Sequence, residues 1–158
     1  MSRSGLNEAD FDSTEDVLQY GRFRGQVSSA IKGKRGQQFF RAVIEALDAM
    51  PEKRLIRNPM NTADAGPDGD VEYDSLGDAD GNVCVLGALA KHRGLPVLEF
   101  DAEDHDKLAE TFNVAPQLAQ EVMWMNDEYF DRGFTPEARW KNMREWAEKQ
   151  LKKEAVSI

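Results

Sequence analysis

The sequence holds few side chains whose type and spacing suggest chemistry, and Cys84 is the first to weigh. It is the only cysteine in 158 residues and sits in the apolar run Val83-Cys84-Val85-Leu86-Gly87-Ala88-Leu89-Ala90. A thiol near a helix N-terminus can have a lowered pKa, and it becomes a nucleophile when a base lies within hydrogen-bond reach. His92 follows eight residues later, about two helical turns away and too far for a direct bond. His105 could approach only through the tertiary fold. A cysteine in an apolar run is most often a small core residue. The second catalytic candidate is the carboxylate cluster Asp101, Glu103, Asp104 and Asp106, with Asp127 further on. These first four acids lie at an expected helix start, where the helix dipole favours negative charge. A small hydrolase using Cys84 or a carboxylate cluster is therefore kept as an alternative only.

Other site patterns fail on spacing. Asp78-Ala79-Asp80-Gly81-Asn82 is similar to the start of a calcium loop. Such a loop needs glycine at position 6 and glutamate at position 12, and Val83 and Leu89 stand there. A polar turn leading into the next helix explains these residues better. Gly33-Lys34-Arg35-Gly36 lacks the spacing of a phosphate-binding loop. One cysteine and two histidines show no metal-ligand spacing. No metal and no cofactor are expected.

The strongest functional signal is charge. The chain carries −9 overall. Between Val17 and Ile44 there is no acid, and there are six basic residues: Arg22, Arg24, Lys32, Lys34, Arg35 and Arg41. That segment is +6, which leaves −15 on the rest. Asymmetry of this kind points to an interaction face. Clustered lysine and arginine can neutralise phosphates. The bland explanation is that these cations pair with the protein's own acids or solvate one face, which adds little stability. Trp124 lies off the main apolar stripe of its helix and is a candidate aromatic anchor.

The elements that must position these residues read as mainly α-helical. A single domain of five or six helices is expected over residues 14–153, between a flexible tail at 1–13 and a short one at 154–158. Thr14 opens the first helix, with Glu15 and Asp16 in its first turn. Gly21 and Gly25 weaken it or allow close packing. The Lys32–Gly36 run breaks it, and a second helix carrying Phe39, Phe40, Val43, Ile44 and Leu47 ends at Pro51. Two helices joined this tightly are expected to be antiparallel neighbours. Residues 58–81 read as an acidic loop with seven acids. Residues 53–57 and 71–73 are candidates for a minor two-stranded element.

A buried helix is expected over 83–93, capped by Asn82 and closed by Gly94. Asp101 or Asp104 opens the next helix, and Asn113 closes it. Pro116 starts another that ends near Asn126-Asp127. Thr135-Pro136-Glu137 starts a terminal amphipathic helix with Trp140, Met143, Ala147 and Leu151 on one side.

Three segments carry a resemblance: Arg24-Gly25-Gln26-Val27-Ser28-Ser29-Ala30-Ile31-Lys32-Gly33-Lys34-Arg35-Gly36-Gln37, Ala46-Leu47-Asp48-Ala49-Met50-Pro51-Glu52-Lys53-Arg54-Leu55-Ile56, and Gly81-Asn82-Val83-Cys84-Val85-Leu86-Gly87-Ala88-Leu89. With the Ser2-Arg3-Ser4-Gly5 start, the chain resembles a group of small uncharacterised bacteriophage and prophage proteins. The likeness extends through Asn126-Asp127 and Thr135-Pro136-Glu137. It implies a setting, a phage accessory protein in the cytoplasm of a bacterial host, and no activity or residue role.

The sequence thus leads to an expectation of non-catalytic binding to a host or phage macromolecule. In one version the protein inhibits a host nucleic-acid-handling or defence protein through its acidic surface. The alternative is nucleic-acid binding through segment 22–41. No membrane contact is expected, since no apolar run is long enough to span a bilayer and the first residues lack the apolar stretch of a secretory signal.

Overall fold

The computed structural model describes residues 14–57, 75–78, 80–129 and 135–152. The expected tails at 1–13 and 154–158, most of the 58–81 loop and the 71–73 half of the two-stranded element lie outside the described residues. Within them, the chain forms α1 (Thr14–Lys32), α2 (Lys34–Ala49), α3 (Val85–His92), α4 (His105–Phe112), α5 (Pro116–Trp124) and α6 (Pro136–Gln150). A short 3-10 turn, Val97–Glu99, lies between α3 and α4, and a π-helical turn, Met125–Tyr129, continues α5. The fold is mainly α. Among the described residues no strand forms, only an isolated antiparallel bridge between Gly77 and Val83.

Local sequence signals set most helix ends. Thr135 Oγ1 accepts from the Ala138 N–H at 3.1 Å, and Pro136 occupies the first turn of α6. Asp104 Oδ1 accepts from the Lys107 N–H at 3.1 Å to start α4, and Asn113 ends it in the left-handed region at φ 56°. Gly94 takes φ +73° just after α3. These are the positions where a side-chain acceptor or a permissive backbone is needed. α2 ends with a different device. The Lys53 ammonium turns back to donate to the carbonyls of Asp48, Met50 and Leu47 at 2.5, 2.6 and 3.4 Å. A cation there satisfies orphan carbonyls and meets the negative end of the dipole. The same ammonium lies 5.5 Å from the Trp140 ring centroid.

One apolar cluster runs through α2, α3, α4, α5 and α6, with Phe40, Leu47, Leu86, Leu89, Leu108, Leu118, Met123 and Met143 buried in it. Phe40 meets Phe39 and Trp146 edge-on at 5.2 and 5.4 Å. α1 and α2 divide their partners: α1 packs mainly on α5, while α2 packs on α6 and α3. Gly33 alone joins them. Gln37, buried just past the joint, donates to the Ile31 and Gln150 carbonyls at 2.8 and 3.0 Å and accepts from the Lys152 N–H at 2.8 Å. One amide side chain so fastens the end of α1 to the end of α6. Arg144 forms a fork on Asp48 at 2.6 and 2.9 Å, tying α6 to α2, and this bond holds the Asp48 carboxyl below its ordinary range. The pair is exposed, so its contribution to stability is small.

The glycines of the first two helices do different things. A Cβ at Gly36 would sit 1.9 Å from the Ala30 carbonyl oxygen, so α2 approaches the end of α1 as closely as backbone allows. Gly21 and Gly25 have nothing within 4 Å of a Cβ, so the close packing open to them in the sequence is not used. Gly36→Ala is expected to destabilise by about 1–3 kcal/mol, the range for overpacking. Gly21→Ala and Gly25→Ala should each stabilise by about 1 kcal/mol from helix propensity alone. Urea denaturation of the three variants checks both signs.

Candidate functional site

Two groups of polar residues stand out, one on the surface and one inside. The surface group is the basic stretch. Arg22, Lys32, Lys34, Arg35 and Arg41 are exposed. Arg22, Ser29 and Lys32 recur on the exposed side of α1, and Lys34, Gln38 and Arg41 on that of α2, as the helical period requires. Among the described residues none of these five cations makes an ion pair. Arg35 Nη1 donates to Asn113 Oδ1 at 3.3 Å, a contact with a neutral group. Arg24 is placed differently. It pairs with Glu121, which is 2% exposed, and links α1 to α5. An ion pair that removes a carboxylate from water is a structural commitment, because losing the cation would strand the anion. Trp124 is half-buried against the core, with its ring 5.6 Å from that of Tyr129.

The internal group is built on the π-helical turn. Asn126 and Asp127 are adjacent and both buried. The Asn126 Oδ1 accepts from the Val85 N–H at 3.1 Å, the first N–H of α3. Its Nδ2 donates to the Ile56 carbonyl at 3.1 Å and to Asp127 Oδ1 at 2.8 Å. Two arginines take backbone carbonyls of the same turn: Arg139, 2% exposed, donates to Asn126 O, and Arg57 Nε donates to Asp127 O at 3.0 Å. The extended segment 54–57 runs through this junction. Leu55 N donates to Pro136 O and Ile56 N to Val83 O, both at 3.0 Å. α3 was expected to be capped by Asn82. Its cap residue is Cys84, whose side chain makes no cap bond, and the capping acceptor is Asn126. Asn82 instead completes a turn in which the Asp78 carboxylate accepts from the Asp80 and Asn82 N–H groups at 3.0 and 2.9 Å and from Asn82 Nδ2 at 3.0 Å.

Cys84 lies in this interior. Burial pushes its thiol from an ordinary 9.0 up to about 12, and the charge of Asp127 adds to the rise. A nucleophilic cysteine requires the opposite shift. Burial likewise lowers the His105 pKa, against the upward pull of the carboxylates of Asp106, Asp104 and Asp101. His92 is exposed, with Nε2 3.8 Å from Glu45. Asp101, Glu103, Asp104 and Asp106 are exposed around the start of α4, and Asp101 and Asp104 accept backbone N–H groups there.

Sequence reasoning did not single out Arg57, Arg139 or the Asn126 amide. One signal was present. Arg139 is in phase with Met143 and Ala147, at i+4 and i+8 on the buried side of α6, and an arginine inside an apolar stripe indicates an internal partner.

Two outcomes follow from the junction. Asn126→Ala leaves the Val85 N–H and the Ile56 carbonyl without their partner and is expected to destabilise by about 1–3 kcal/mol for each stranded group, read by urea denaturation. For Cys84 the folded thiol holds its proton above the pH at which the unfolded thiol loses it. Its contribution is therefore intact below pH 9.0 and is lost as pH rises toward about 12, at a limiting slope of about 1.4 kcal/mol per pH unit. Comparing denaturation of the wild type with Cys84→Ala across this window isolates the thiol, and the variant should show the flatter decline. Compared with protein-family models, curated proteins and solved structures, the chain matches none of them.

Proposed function

We propose that the protein is a non-catalytic binding protein of the phage accessory kind, acting on a host or phage macromolecule in a bacterial cytoplasm. Its contact surface in this reading is the basic joint between α1 and α2, and the partner chemistry is the phosphate backbone of nucleic acid. The observation that supports it is the state of Arg22, Lys32, Lys34, Arg35 and Arg41. They stay exposed and without an ion pair among the described residues, in a chain that carries nine more negative than positive charges. Lys32, Lys34 and Arg35 crowd at a single bend, where helix ends present them together. Phosphate contacts of this kind position a protein on nucleic acid without reading sequence. Arg24 instead holds α1 against α5 through Glu121. The cysteine form of the hydrolase alternative loses ground, since a thiol pushed up to about 12 is a poor nucleophile at neutral pH.

A second reading has its own observation. Glu99, Asp101, Glu103, Asp104, Asp106 and Glu110 are all exposed within one short stretch around the start of α4. Such an edge suits a basic partner, and the protein would then inhibit a nucleic-acid-handling or defence protein of the host by occupying its binding surface. Electrostatic complementarity would set the on-rate and its salt dependence.

Mobility-shift titrations separate the two. If the basic joint is the contact, the protein shifts nucleic acid at about 50 mM salt, where counterion release favours binding. The Lys32→Ala, Lys34→Ala, Arg35→Ala triple variant should then weaken binding and reduce the slope of log K against log salt by roughly 2–3. No shift from the wild type at that salt rejects this reading, and recovery of a basic host protein in a low-salt pull-down then supports the second.

A further inference from the structure

A cleft of about 440 Å³ opens between the C-terminal end of α2, the segment at 51–54, the turn at 80–83 and the outer side of α3. That volume is in the range of small-molecule sites. The cleft lies at the opposite end of α2 from the basic joint, roughly 22 Å along the helix, so it is independent of the function proposed above.

Its lining is zoned. Ala46, Ala49, Ala88 and Val83 make an apolar floor, and the three alanines leave the room that larger side chains would fill. Arg54 and Lys91 contribute cations. Arg54 is half-buried, and among the described residues its guanidinium forms no ion pair. Lys91 is exposed, forms no ion pair among the described residues, and holds its Nζ over Gly81, 3.9 Å from where a Cβ there would sit. Glu52 and Asp80 are exposed at the rim and supply carboxylate acceptors.

We propose that this cleft binds a nucleoside monophosphate. The phosphate accepts from the Arg54 guanidinium and from the Lys91 ammonium in charge-assisted bonds. The base rests on the alanine floor, and the ribose hydroxyls donate to the Glu52 or Asp80 carboxylate. A free phosphate would use only the cationic part of the lining, and a neutral nucleoside only the floor and rim. The size of the cleft and its three kinds of lining fit a ligand that carries all three groups.

Calorimetric titration of the intact protein at low salt tests this, with AMP, GMP, CMP and UMP as ligands and adenosine and inorganic phosphate as separate arms. At least one monophosphate is expected to bind at millimolar concentration or below, with adenosine and phosphate each weaker by about tenfold or more, the scale of one lost charged contact. Arg54→Gln and Lys91→Gln should each weaken nucleotide binding by a similar factor. Because Lys91 is exposed, Lys91→Gln should melt as the wild type does and decides the matter if Arg54→Gln does not fold. The proposal is overturned if no monophosphate binds, if inorganic phosphate binds as tightly as the best nucleotide, or if folded Lys91→Gln retains wild-type affinity.

Discussion

The side chain of Asn126 is the constraint on which the rest of this fold depends. Its amide satisfies the first N–H of α3, the carbonyl of Ile56 and the carboxylate of Asp127 at once. Buried polar groups are tolerable only when satisfied, and in a low-dielectric interior a half-made network is worse than an apolar one. Each partner of Asn126 belongs to a different part of the chain. Satisfying that one side chain therefore fixes where α3 begins, where the 54–57 segment runs and how α5 ends. The π-helical turn makes this possible. It brings two consecutive polar residues inside, and its carbonyls are taken by Arg139 and Arg57. Turns of this kind are rare and often sit at functional positions. Here the turn serves as the joint between helices.

The charge pattern of the sequence is resolved along the same line. Cations that could be read as one patch perform two jobs. Arg24 is an internal fastener between α1 and α5. Arg22, Lys32, Lys34, Arg35 and Arg41 remain on the outside. The arginines that matter most to the interior, Arg57 and Arg139, lie outside the basic segment altogether. Net charge and charge runs are statements about surfaces and partners. They carry no information about which cation meets a buried carbonyl.

This difference explains how much of the molecule was legible in the sequence. Thr135, Asp104, Asn113, Gly94 and Pro116 mark helix ends because each acts on backbone within a few residues of itself, so the signal and the effect are neighbours. The apolar spacing of Phe39, Phe40, Val43 and Leu47 reports the buried side of α2 for the same reason. Asn126 acts on Ile56 and Val85, which lie 70 and 41 residues away, and nothing near it in the sequence announces those partners. Asn82, the local candidate to cap α3, was the wrong residue because Asp78 engages it in a turn of its own. Of the surface candidates, the exposed side of α1 and α2 follows from helical period. The pairing of Arg24 with Glu121 does not, since it depends on which helix α1 rests against.

The cap of α3 also governs the order of assembly. A helix of eight residues is too short to persist alone, and this one receives its first acceptor from a residue far downstream. On a ribosome, α2 and the apolar run of α3 emerge well before Asn126, and the carbonyl of that residue is itself held by Arg139 on the last helix. The interior therefore closes only after α6 has been made. Until then the most apolar stretch of the sequence, around Cys84, lacks its native cap, and late closure of long-range contacts is what makes a nascent chain prone to stray association.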